Sequence, residues 1–445
     1  MHKAAQIELA CPSVLVKYAN FDILFCVVCR HIEWIKGLLA VPFVLLSQPT
    51  ATYGNDRPAV NAMVSAARAR YGEIMHDLEL LIQDHIACQK NNPGSSPSKL
   101  KLLVPSVGLF FTPLPLRDAF AYQDARRRMS SRRFVAPSFN DIRLTLNTAQ
   151  VMSLVRTSRL ELVTFDGDVT LYDDGESLKP DNPCIPRILN LMRKGTRIGI
   201  VTAAGYTEAR DYYLRLSGLL DAIAAADPSG DLENRLVVMG GESNFLFTYT
   251  AHQQCRLEAV PEADWRLPEM SSWTEENVTA LLDVGEAALR DCIECLALPV
   301  QVLRKKRAVG IFPSPGVRLA REQLEETVLV VQRVLETSEA GKRIPFCAFN
   351  GGNDVFVDVG DKSYGVMSCQ AYFGGIEGGG RCMWGISFCR RGRMTSRYFD
   401  ALSGDWMEAR LACTTAWVAS PTETCNLLDE IQHLGSGEDI AAQSA

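Results

Sequence analysis

Residues 160–170 read Leu160-Glu161-Leu162-Val163-Thr164-Phe165-Asp166-Gly167-Asp168-Val169-Thr170. Leu160, Leu162, Val163 and Phe165 form a short apolar run that stops at two aspartates, the pattern of a buried parallel strand ending in acid. Such a strand needs neighbours, and the following residues supply them. Ile185, Ile188, Leu189 and Met192 recur at helical spacing over residues 183–194, and Gly195 ends that helix. Residues 197–202, RIGIVT, are a second apolar strand. Strand, helix and strand in close succession make a βαβ unit, whose parallel sheet gathers ligands at the carboxyl ends of its strands. The spacing predicts an α/β protein with Asp166, Asp168 and Thr202 on one edge of a parallel-sheet core.

The Asp166-x-Asp168-x-Thr170 pattern at that edge resembles the first motif of the haloacid dehalogenase superfamily, which implies phosphoryl transfer, and the residue types suit that chemistry. A carboxylate attacks phosphorus only if a cation neutralises the phosphoryl oxygens and a neighbouring acid protonates the departing ester oxygen. Two aspartates one residue apart supply an attacking group and an acid. The plain alternative is a solvated turn after a strand, and the strand in front weighs against it. Thr202 ends the second strand, one βαβ unit later. Residues 354–365, DVFVDVGDKSYG, add Lys362, whose ammonium can offset the charge of two aspartates and a phosphoryl group.

Outward from this core, 445 residues leave room for two or three domains, and a 47% hydrophobic share supplies the apolar material for them. Residues 1–150 form a mainly helical N-terminal region, with helical spacing over 63–89 and 138–150, an extended apolar run over 102–111, and a polar break, NNPGSSPS, at 91–98. Residues 151–205 are the first part of the core, 206–345 an inserted α+β cap, and 346–445 the second part of the core. Within the insertion, Ser272 and Glu275 predict a capping box and 321–335 an amphipathic helix. Val355, Val357 and Val359 alternate as a strand, and 411–418 is a last strand-like run.

Lys and Arg number 46 against 52 acidic residues, with no basic block fit to follow a nucleic-acid backbone. Arg126, Arg127 and Arg128 read as a solvated helix face. The longest apolar stretch, 21–46, is broken by Arg30, His31, Glu33 and Lys36, so no membrane helix is expected. A secretory signal is likewise not expected, since the N-terminal residues do not set a charged region, an apolar segment and a small-residue cleavage site in order. Fourteen scattered cysteines suit reduced thiols in a cytoplasmic protein, and Cys26-x-x-Cys29 and Cys292-x-x-Cys295 read as buried thiols rather than zinc ligands. Gly351-Gly352 and Gly374-Gly375 lack the sequence context of phosphate-cradling loops, and the six histidines show no ligand spacing.

The Asp166-x-Asp168-x-Thr170 motif, followed in order by Thr202 and Lys362, resembles the motifs of the haloacid dehalogenase superfamily. The likeness is closer to one family. Residues 165–175 (FDGDVTLYDDG), 201–206 (VTAAGY), 239–247 (MGGESNFLF), 308–311 and 321–326 (REQLEE) are similar to the IMP-specific 5′-nucleotidases of fungi and protists. So are 34–44 (WIKGLLAVPFV), 102–111 and 132–150 (RRFVAPSFNDIRLTLNTAQ).

The resemblance implies a Rossmann-like core with an inserted cap, an N-terminal regulatory region, and magnesium-dependent hydrolysis of inosine monophosphate to inosine and phosphate. It also implies ATP as effector and a homotetramer. By motif position, Asp166 is nucleophile and metal ligand, and Asp168 is acid and base and binds the metal through its backbone carbonyl. Asp166, Asp168, Asp174, Thr202, Asp354 and Lys362 contact the nucleotide, and Arg132 meets effector phosphate. Two departures stand out. Where the family has an acidic metal segment, residues 374–399 are basic and Gly-rich, which leaves Asp405 as the candidate third magnesium ligand. Leu144 occupies the place of an effector-site histidine, and residues 1–30 match nothing in the family. Two other readings stay open: a capped phosphohydrolase or phosphomutase acting on a sugar phosphate, and a catalytically weakened nucleotide-binding protein.

Overall fold

The computed structural model describes residues 27–52, 57–91, 97–105, 107, 110, 113–157, 160–227, 229–374, 382–384, 414–416 and 418–436. The N-terminal region is helical, as its spacing predicts: α1 (Val27–Thr52), α2 (Arg57–Asn91), α3 (Leu116–Arg127) and α4 (Phe139–Thr157). Ile32, Ile35, Leu39, Tyr71, Met75, Leu78 and Phe120 are buried where these helices pack. Their polar anchor is Asp141, fully buried at the start of α4. It accepts hydrogen bonds from Arg127 Nε (2.7 Å), Arg132 Nη1 (2.5 Å) and the Ser138 amide (2.8 Å). Arg126 and Arg128 are exposed, as expected of a solvated face, with Arg126 lying over the Tyr122 ring, whereas Arg127 is only partly exposed and ties α3 to Asp141. Residues 102 and 103, expected to be extended, instead end a short helix, Lys99–Leu103, capped by the Ser98 hydroxyl.

The core sheet starts with β1 (Leu162–Asp166), buried at all five positions. After α5 (Cys184–Arg193) the chain turns at Gly195 (φ +93°) into β2 (Arg197–Val201). The two strands run parallel with Asp166 opposite Val201, which sets Thr202 beside the end of β1. Then α6 (Ala209–Ala226) leads to β3 (Leu236–Gly240), parallel to β2, followed by β4 (Phe245–Tyr249) and β5 (Leu257–Ala259), both added antiparallel.

A second sheet follows. It comprises α7 (Glu275–Cys295), β6 (Val300–Arg304), β7 (Ala308–Pro313), α8 (Arg321–Thr337), β8 (Phe346–Asn350) and β9 (Val355–Val359), with antiparallel strand order β6-β7-β9-β8. Alternation gives this sheet two faces. Val309, Ile311, Val355, Val357 and Val359 are buried in the same apolar cluster as residues of α7 and α8. Ala308, Cys347, Phe349, Phe356 and Asp358 line a cavity on the other side.

The pairing differs from the expected division at 206–345. Strands β3 to β5, expected in the insertion, extend the core sheet, while β8 and β9, expected in the resumed core, belong to the second sheet. Both sheets contain short apolar strands, and sheet membership is fixed by non-local pairing that periodicity does not carry. The cap of α7 is Thr274, whose hydroxyl accepts from the Asn277 amide, and not Ser272.

After β9 the chain returns to the core through α9 (Lys362–Tyr372), which packs on β2 and β3. Strand β10 (Cys382–Trp384) lies beside β1 and pairs parallel with β11 (Thr414–Ala416). The last helix, α10 (Pro421–Ser436), packs against α4 and α5. Arg143 bonds Glu423 (2.7 Å), Arg187 bonds Asp429 (2.7 Å), and the Thr424 hydroxyl donates to the Thr170 carbonyl (2.7 Å). That last bond ties the C-terminal helix to the loop after β1.

Candidate active site

The loop after β1 turns tightly. The amides of Thr170 and Leu171 both donate to the Gly167 carbonyl, and Val169 takes a left-handed backbone conformation (φ +62°). Gly167 lets Tyr172 come close, because a Cβ there would overlap the Tyr172 hydroxyl. The turn leaves Asp166 buried at the strand tip, with Oδ1 accepting from the Gly167 amide (2.8 Å). Asp168 is half-buried, and its Oδ1 accepts from the Gly175 amide (3.1 Å).

Lys362 reaches the same point from the other side. Gly360 (φ +80°) ends β9, and Asp361 caps α9 by accepting from the Ser363 amide (2.7 Å) and the Ser363 hydroxyl. The cap places Lys362 in the first turn, with Nζ 2.8 Å from Asp166 Oδ2. Burial pushes the Asp166 carboxyl above its ordinary range, and the Lys362 ammonium opposes that. Burial alone would lower Lys362, yet Asp166 and then Glu242 hold its ammonium above the usual lysine range. The two side chains make a close, largely buried carboxylate–ammonium contact, in which each favours the charged form of the other.

Glu242 is a residue the sequence reading missed. It follows β3 in a left-handed conformation (φ +65°), its amide donates to the Thr202 carbonyl (2.9 Å), and it is buried beside Lys362. Burial raises its carboxyl to about 7, with Lys362 opposing and Asp166 and Asp361 adding to the rise. Helix α9 can approach this loop because Gly365 has no side chain, since a Cβ there would overlap the Glu242 carbonyl oxygen. Thr202 is buried, and its Oγ1 accepts from the Ala204 amide (3.1 Å), which shapes the turn after β2.

These groups border a cavity of about 650 Å3 between the core sheet and the second sheet. Asp166, Asp168, Asp174, Asp354 and Lys362 all line it, and Thr202 lies directly before its lining residues Ala203 and Ala204. Asp174 and the turn before Asp354 meet across the cavity, where a Cβ on Gly352 would stand 3.3 Å from Asp174 Oδ2. The sequence reading also passed over Arg215, Arg307, Phe349, Phe356, Asp358 and Asp361, all in the lining. Only Asp361 carried a local signal, as an Asp just before a helix start. The others depend on how two sheets face each other.

Two expected residues lie elsewhere. Arg132 is in the helical region, bound to Asp141 and to the Arg127 carbonyl. Asp405 lies outside the described residues, as does most of 374–399. Among the described residues no cluster of three or more His, Cys, Asp or Glu could hold a metal ion. Magnesium needs fewer protein ligands than that, because it commonly keeps several waters and binds through one or two carboxylates and a substrate phosphate. Asp166 and Asp168 offer hard oxygen donors of that kind beside the cavity, and they fit such an ion.

The chain is similar to known proteins over most of its length. Residues 29–428 match the family model described as IMP-specific 5′-nucleotidase. An IMP-specific 5′-nucleotidase 1 from Aspergillus fumigatus is 55% identical over 427 residues, covering 92% of each chain. The structure of an N-terminally truncated, IMP-bound Plasmodium falciparum IMP-nucleotidase is similar at TM-score 0.73 and 30% identity, covering 90% of this chain and 95% of that one. An ATP-bound structure of the Plasmodium falciparum IMP-nucleotidase is similar at TM-score 0.74 and 30% identity, covering 93% of this chain and 86% of that one.

Proposed function

Because this chain belongs to the IMP-specific 5′-nucleotidase family, a group of phosphoric monoester hydrolases, we propose that it cleaves inosine monophosphate through a phosphorylated Asp166. The observation that carries the mechanism is the 2.8 Å contact between Lys362 Nζ and Asp166 Oδ2 at the edge of the cavity, with Asp168 also in the lining.

Asp166 is held for in-line attack on phosphorus by its strand tip and by the Gly167 amide. Lys362 keeps the buried carboxylate ionised and offsets the charge on the phosphoryl oxygens. Asp168 protonates the departing ribose oxygen, and once inosine has left it takes a proton from the water that frees the aspartyl-phosphate. Thr202 positions the phosphate by ordering the turn after β2. Asp174 and Asp354, on facing walls, contact the nucleoside. Asp166 and Asp168 would hold a magnesium ion, which when bound would further neutralise phosphoryl charge. Asp405 is its candidate third ligand.

The family likeness favours a nucleotide over a sugar phosphate as substrate. ATP as an effector is supported by the ATP-bound neighbour, with Arg132 as a contact that exchanges Asp141 for phosphate. A homotetramer completes the reading. The thiols of Cys184, Cys292, Cys369 and Cys425, all buried and unbridged, suit a reducing cytoplasm. No helix among the described residues is long and apolar enough to cross a membrane.

The test is phosphate release from IMP, AMP and GMP, with and without magnesium, for wild type and Asp166→Asn. Release from IMP that needs both magnesium and Asp166 supports the reading. Equal hydrolysis by wild type and variant contradicts the mechanism.

A further inference from the structure

The cavity-facing side of the second sheet carries two aromatic rings with no part in the phosphate chemistry. Phe349 of β8 and Phe356 of β9 are register partners in adjacent strands. Their rings lie 6.4 Å apart and nearly parallel, at 27°. Both are only partly buried, and both line the cavity. On the next strand, Gly310 stands opposite Phe356, and a Cβ there would overlap the Phe356 ring. A glycine at this point lets the ring lie across β7. Lys305, also in the lining, sets its ammonium 4.8 Å from the Phe356 centroid. Phe356 is partly exposed to the cavity, and the Lys305 ammonium that stands over its ring is a mobile side-chain tip that a flat base can displace.

The position of these rings matters as much as their chemistry. Strand β9 runs from Asp354 at one end, through Phe356, to Asp358 and then by Gly360 to Lys362. Phe356 and Asp358 share a face one strand repeat apart, about 7 Å. A phosphate seated at Lys362 thus leaves the rest of a mononucleotide lying along this face. The volume, about 650 Å3, is in the range of small-molecule pockets.

The geometry points to Phe356 and Phe349 as the seat of the substrate's purine ring, stacked against them while the phosphate lies at Asp166 and Lys362. This deepens the proposed function and rests on it. The seat gives affinity for a flat heteroaromatic base without touching the reacting atoms, so its loss appears in binding and not in the chemical step. Base-on-aromatic stacking of ordinary strength corresponds to roughly ten- to hundred-fold in affinity.

Two partial ligands separate the base seat from the phosphate site: inosine, which has the base and no phosphate, and inorganic phosphate, which has no base. In Phe356→Leu, the KM for IMP and the inhibition constant of inosine are expected to rise about ten- to hundred-fold. The kcat and the inhibition constant of phosphate stay within about two-fold, and they report that the variant is folded. Phe356→Tyr, which keeps the ring face, restores the inosine constant. Phe349→Leu, on the neighbouring strand, gives the same split if Phe356→Leu fails to fold. An unchanged inosine constant, or a phosphate constant that rises in step with it, overturns the assignment. Wild-type protein that releases no phosphate from IMP overturns the functional reading itself, and that is a separate result.

Discussion

Lys362 Nζ stands 2.8 Å from Asp166 Oδ2, although the two residues are 196 positions apart in the chain. The contact joins the first strand of the core to the first turn of the helix that re-enters it, so the site forms only when the inserted second sheet has delivered the chain back to the core. Asp166 is buried and Lys362 largely so, and removing either partner leaves the other charge poorly compensated. Lys362→Met is expected to lower kcat for IMP by about 10²- to 10³-fold, the usual cost of losing one preorganised electrostatic partner. Lys362→Arg recovers little of it, because a planar guanidinium does not fit the place of a compact ammonium. Steady-state phosphate release checks both, and an Arg variant with full activity contradicts the point-charge role.

Asp168 is assigned the proton that the leaving ribose oxygen needs. Asp168→Asn should therefore lose about 10²- to 10⁴-fold in the single-turnover rate of leaving-group release from IMP, but much less in that of nitrophenolate from p-nitrophenyl phosphate, which leaves without a proton, while the later hydrolysis of the aspartyl-phosphate slows alike for both. Single-turnover rates on the two substrates, measured side by side, make the comparison. Equal losses on both would point to a purely structural or metal-holding role.

Gly365 lets α9 rest directly on the loop that follows β3, where a Cβ would overlap the Glu242 carbonyl oxygen. Backbone cannot move aside as a side-chain tip can, so Gly365→Ala should cost about 1–3 kcal/mol of stability. It should also displace Lys362 and lower kcat. Urea denaturation together with IMP turnover tests this, and a variant of wild-type stability and activity would contradict the packing described.

His31 of α1 is buried beside Trp34 and Phe110, and among the described residues neither ring nitrogen has a hydrogen-bond partner. Burial, with a smaller contribution from His85, lowers its pKa from 6.5 to about 4. The unfolded chain therefore takes up a proton first as the pH falls. The stabilising effect of a neutral His31 is complete above about pH 6.5 and is lost progressively towards pH 4, by roughly 3 kcal/mol. His31→Phe should flatten that loss. Urea midpoints between pH 7 and pH 4.5 measure it, and a pH dependence unchanged by the substitution contradicts the assignment.

What the sequence made legible was local. The run from Leu162 to Asp166 ends in acid, and both its strand character and its chemistry can be read from a few residues in a row. The same holds for the helix after Pro183 and for Lys362 in its Asp-Lys-Ser segment. What escaped was whatever depends on pairing between distant segments. Strands β3 and β9 are equally apolar, and only hydrogen-bond partners tell which sheet each belongs to. Glu242 escaped for a related reason. A glutamate in a Gly-rich turn reads as solvated, and it becomes buried beside Lys362 only because α9 closes over it. Phe349 and Phe356 carried no signal beyond ordinary strand alternation, since the cavity they face is made by two sheets together.

The central claim is a covalent one: the carboxylate at the tip of β1 carries the phosphoryl group during turnover. Its most direct test is acid quench of the enzyme turning over IMP labelled with 32P in its phosphate, followed by peptide mapping. The account predicts label on the peptide that contains Asp166, released by hydroxylamine as an acyl phosphate is, and none in Asp166→Asn. Steady phosphate release with no labelled protein, or label on another residue, would contradict it.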